Sequence, residues 1–139
     1  MKEFFNFLIE QFEPEFAYIT NWEDWKTKHY IRRPTFKSDG TYAGMGEGGM
    51  GFDFLEGIPG IYWMTYMTGE VIPPAVLSQL PSDIVTQDGR GYCIQSYPSS
   101  SLIGTEDGLK AEQKIRQTLG EDRFFDAESW LKTEMAKIK

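Results

Sequence analysis

Reactive side chains are sparse in this chain, and few stand at spacings that chemistry uses. His29 is the only histidine and Cys93 the only cysteine among 139 residues, so a Cys–His pair is possible by count alone. A nucleophile needs an adjacent base that is itself oriented by a third group. No serine or cysteine here sits in a nucleophile elbow or a comparable setting. His29 is therefore expected to be an ordinary surface or loop residue, and Cys93 a buried, inert thiol. Zinc finds too few of the Cys and His ligands it prefers. Asp53 and Glu56 form a carboxylate pair of the kind used in acid–base hydrolysis, but such pairs are common. No catalytic residue, metal site or cofactor is expected.

A glycine-rich run from Gly44 to Gly51 matches G-x-G-x-x-G twice, through Gly44, Gly46 and Gly49 and through Gly46, Gly48 and Gly51. A dinucleotide site needs those glycines between a buried strand and a helix whose first amides hold the pyrophosphate. Residues 37–42 are polar, Gly57 and Pro59 interrupt the segment after the run, and Glu47 would face the phosphates. The run reads instead as a flexible loop or tight hairpin that moulds to a partner. Trp22, Trp25, Tyr30, Tyr42, Phe52, Phe54, Tyr62, Trp63 and Tyr66 fall in the same half of the chain. Aromatic side chains anchor protein interfaces, although most of them build cores.

The elements that must hold these residues are legible from periodicity. Phe4, Phe5, Leu8, Ile9 and Phe12 recur at helical spacing before Pro14, which predicts an amphipathic helix over residues 2–13. A short strand over residues 16–20 and a helical turn capped by Asn21 come next; that turn sets Trp22 and Trp25 on one side. Residues 33–60 have the composition of loops and hairpin turns, with a short strand at 52–55. The aromatic run at 61–67 is the strongest strand signal and is placed at the centre of the sheet. Pro73 and Pro74 open a short helix stopped by Pro81. Strands near 83–87 and 91–97 are joined by Asp88-Gly89-Arg90. Thr105 caps a helix that Gly120 ends, and a last helix starting near Asp126 is expected to bury Trp130, Leu131 and Met135. The order predicts one α+β domain over residues 1–139, with an antiparallel or mixed β-sheet and helices packed mainly on one face.

Composition narrows the function classes. With 40% hydrophobic and 25% charged residues, the chain has enough apolar content to fold. One thiol suits a reducing compartment, no signal peptide is expected, since polar residues interrupt the apolar start, and no apolar run is long enough to span a bilayer. A cytoplasmic protein without membrane contact is expected. The net charge is −7, and residues 34–104 hold most of it, seven acids against Lys37 and Arg90. Such a field repels phosphate backbones and attracts basic partners, so direct nucleic-acid binding is not expected.

Residues 59–67, Pro-Gly-Ile-Tyr-Trp-Met-Thr-Tyr-Met, with the helix and hairpin after them, resemble the core of the bacterial immunity protein 52 family. Those proteins have a G-W-x-T-Y-like strand; Trp63, Thr65 and Tyr66 match it, and Tyr62 stands where the family has Gly. Residues 119–126 are similar to the family's closing segment. The resemblance covers roughly residues 50–126 and implies an α+β immunity protein that binds and neutralises a toxin encoded nearby, often one with a nuclease domain. It implies no catalytic residues. Trp22, Trp25, Glu47, Asp53 and Glu56 are the expected partner contacts. A small carboxylate-dependent hydrolase and a general protein-interaction module are the alternatives, and the oligomeric state is left open.

Overall fold

The computed structural model describes residues 1–49 and 57–138. The first helix, α1, spans Lys2–Phe12 and stops where Glu13 turns left-handed (φ 44°), its N–H returning to the Ile9 carbonyl at 2.8 Å. Pro14 lacks the N–H that a further turn would use. Strand β1, Phe16–Ile19, then pairs antiparallel with β4, Met64–Thr68. β4 pairs on its other side with β6, Gly91–Gln95, and β6 with β5, Val85–Asp88. The sheet order is β1-β4-β6-β5. Every residue of β4 is buried, so the aromatic run does lie at the centre. Its first three residues are buried approach rather than regular strand.

Alternation along the strands divides the core. Met67 and Ile94 pack with Leu77 of α3, Pro74–Leu77, and with Ile115 and Leu119 of α4, Glu106–Leu119. Met64, Tyr66 and Cys93 meet Phe5 and Ile9 of α1. The helical cover is thus heavier on one face. Thr105 caps α4 by accepting from the Gly108 N–H at 3.2 Å, as expected. No helix among the described residues is long and apolar enough to cross a membrane.

A second sheet holds β2, Tyr30–Phe36, against β3, Tyr42–Gly49, with Ile31 opposite Gly48 and Arg32 opposite Glu47. Helix α2, Trp22–His29, runs directly into β2. Helix α5, Ala127–Ala136, packs on β2. That placement corrects one expectation: Trp130 and Leu131 are only half-buried and Met135 is exposed, because α5 covers a small two-stranded sheet rather than the main core. The strand expected at 52–55 lies outside the described residues.

Candidate functional site

Asn21 nucleates α2 by accepting the Asp24 N–H at 2.9 Å, which leaves two faces to be filled. Residues three and four apart share a helix face, and Trp22, Trp25 and His29 follow that spacing. Their rings form a ladder. Trp22 stacks on Trp25 at 5.1 Å between centroids, and Trp25 on His29 at 4.8 Å. Tyr30, the first residue of β2, sets its ring edge-on to both indoles, at 6.5 and 6.0 Å. Inward, the His29 Nε2 meets the Tyr62 hydroxyl at 2.7 Å, and Tyr62 stacks on Tyr18 at 4.1 Å. The Trp25 indole N–H donates to the Tyr18 hydroxyl at 3.1 Å.

The ladder runs from solvent to core. Trp22 is 60% exposed and His29 is 3% exposed. His29 is therefore no loop residue: tertiary packing places it between two aromatic rings, with a hydrogen bond to a buried phenol. Gly49, in the glycine run, provides the floor. Gly44, Gly46, Gly48 and Gly49 lie in strand β3, paired with β2, rather than in the flexible loop or tight hairpin expected from their composition. A Cβ on Gly49 would stand 3.0 Å from the Trp25 ring, so the indole lies on bare backbone. Glu47 is exposed and two residues before Gly49, on the same side of β3.

The other face of α2 is charged and buried. Asp24 is 3% and Glu112 5% exposed. The Lys28 ammonium donates to Asp24 Oδ2 at 2.8 Å, to the Ile61 carbonyl at 2.9 Å and to Glu112 Oε2 at 2.5 Å. Those three acceptors use all three of its protons. The Tyr97 hydroxyl donates to Glu112 Oε1 at 2.9 Å, and the Thr20 hydroxyl to Asp24. Lys28 also sits over the Tyr62 ring at 4.6 Å. Burial pushes the Glu112 carboxyl above its usual range against the opposing pull of Lys28. Burial likewise raises the Tyr62 and Tyr97 phenols, helped by Tyr18 in the first case and by the Glu112 carboxylate in the second.

Lys28 and Glu112 form the floor of a cleft of about 470 Å³, with Leu109, Lys110 and Arg116 of α4 along one wall and Pro59 and Ile61 along the other. The cleft meets part of what a carboxylate hydrolase needs, a displaced acid in a pocket. Among the described residues it lacks a second acid free to act. Glu106 at the rim is exposed and paired with Lys110 at 2.5 Å, and both Glu112 oxygens are already held. The geometry ties α2, α4 and residues 61–62 together.

Of the expected contacts, Trp22 and Trp25 touch and Glu47 shares their floor strand; Asp53 and Glu56 lie outside the described residues. Sequence reasoning did not single out the Asp24–Lys28–Glu112 cluster, yet signals existed. Asp24 and Lys28 are four apart, and Glu112 interrupts the buried stripe of Gly108, Ile115 and Leu119. Among the described residues, the acids of the middle segment are spread over several elements. Asp39 lies at the β2–β3 turn, Glu47 on β3, Glu70 after β4, and Asp83 and Asp88 around β5, because this stretch of chain passes through both sheets. In comparisons with known proteins, no family model, curated protein or solved structure matches the chain.

Proposed function

We propose that this protein is an immunity protein, acting in the cytoplasm, that neutralises a cognate bacterial toxin by binding it and covering its active site, without catalysis of its own. The observation that carries the reading is the Trp22–Trp25–Tyr30 face. A large indole 60% exposed is held rigid by stacking and backed by a ladder into the core, so it loses little freedom on binding. Rigid aromatic anchors of this kind dominate interface energies. The likeness of residues 59–67 to the immunity protein 52 strand supports the same reading, and the net charge of −7 speeds encounter with a basic toxin such as a nuclease.

The test is co-expression with each toxin candidate encoded beside the gene, followed by affinity measurement on any complex. Growth rescue and a nanomolar complex are expected. Trp22→Ala should weaken binding by about 30-fold or more, the loss typical of a central aromatic anchor, with an unchanged circular dichroism spectrum. Absence of both rescue and complex for every candidate discards the proposal. A carboxylate hydrolase is the second reading, favoured by the raised Glu112 at the cleft floor. It requires turnover abolished by Glu112→Gln, whereas the binding reading requires that variant still to protect cells.

A further inference from the structure

Helix α1 buries only Phe5 and Ile9, and a second side of it is apolar as well. Phe4, Leu8 and Phe12, four residues apart, form a stripe beside a groove of about 630 Å³ whose opposite wall is Pro14 and residues 17–20. No charged side chain lines this groove, in a chain that is 25% charged. Phe4 is 63% and Phe12 76% exposed, and Met1 at the groove mouth 70%. β1, which forms the far wall, is the last strand of its sheet among the described residues.

We infer that a second copy of this chain fills the groove, giving a two-fold dimer in which the α1 helices pack antiparallel with Leu8 at the axis. Two observations favour a copy over an unrelated occupant. The stripe is symmetric about Leu8, so Phe4 of one copy meets Phe12 of the other, as an isologous contact requires. The area also suffices. At roughly 200 Å² per large side chain the exposed parts of Met1, Phe4 and Phe12, with Leu8 and Ile19, come to about 500 Å² per copy, and two copies reach the order of 1,000 Å² that a stable interface needs.

Sedimentation equilibrium of the full chain, from micromolar to near-millimolar concentration, tests this. The expected result is a reversible rise in mass from 16.0 kDa to twice that value. Phe12→Glu, at an exposed position, should raise the dissociation constant at least about tenfold while circular dichroism stays unchanged. Leu8→Cys should form a symmetric disulfide dimer under mild oxidant. Cys93 does not compete, since it is buried and burial pushes its thiol up to about 11. A wild-type chain that stays monomeric, a dimer indifferent to Phe12→Glu, or a Leu8→Cys variant that never cross-links overturns the inference. A monomer whose Phe12→Glu variant loses toxin binding overturns it too, and assigns the groove to the toxin.

Discussion

Lys28 is the residue on which the buried cluster depends. Its ammonium is the cation between two carboxylates, Asp24 and Glu112, whose side chains are 1% and 6% exposed. Removing one member of a buried charged set costs far more than the set contributes, because the remaining charges stay desolvated. Lys28→Met should therefore lower unfolding stability by about 3–5 kcal/mol, read from urea melts. Glu112 predicts a pH effect. Its carboxyl titrates above the usual 4.5 in the folded chain, so the folded state holds that proton more tightly than the unfolded chain does. The associated stability is complete below that usual value and is lost as pH rises through the raised one. Relative to Glu112→Gln, wild-type stability should decline as pH is raised from the acid side toward neutrality. Melts of the two proteins across that range check it, and a gap that does not change with pH contradicts the assignment.

At the scale of elements, α2 and β3 make the proposed binding face between them. α2 supplies indoles at three-residue spacing, and β3 supplies bare backbone at Gly49. Alternatives to glycine would lift the ladder: a Cβ at position 49 already stands 3.0 Å from the Trp25 ring, and a branched side chain extends farther. Gly49→Val should displace Trp25 and with it Trp22, weakening partner binding about tenfold or more. The pairing of the main sheet should persist, because β2 and β3 form a separate sheet, while loss of the Trp25–Tyr18 hydrogen bond lowers the melting transition modestly. Near-ultraviolet circular dichroism, which reports on coupled indoles, and a binding titration together test this. The α1 stripe is the other element-scale feature. A helix with Phe5 and Ile9 toward one neighbour and Phe4, Leu8 and Phe12 toward another has more apolar surface than one sheet can cover.

For the whole molecule, much was legible before any coordinates. The helix at 2–13, the central aromatic strand, the Asp88-Gly89-Arg90 hairpin, the Thr105 cap and the Gly120 stop all follow from periodicity and local turn chemistry, which act over a few residues. So does the α+β class. What only the tertiary structure decided involves residues far apart in the chain. Lys28 reaches Glu112 across 84 positions and the Ile61 carbonyl across 33, and no local pattern encodes such a partner. The same holds for His29, whose neighbour Tyr62 also lies 33 positions away, and for the described acids of residues 34–104, which lie on or beside elements of two different sheets. Local propensity reads side chains against their immediate neighbours. Burial, stacking and charge pairing depend on which distant segments the core brings together, and here those distant contacts set both the exposed indole face and the buried charges behind it.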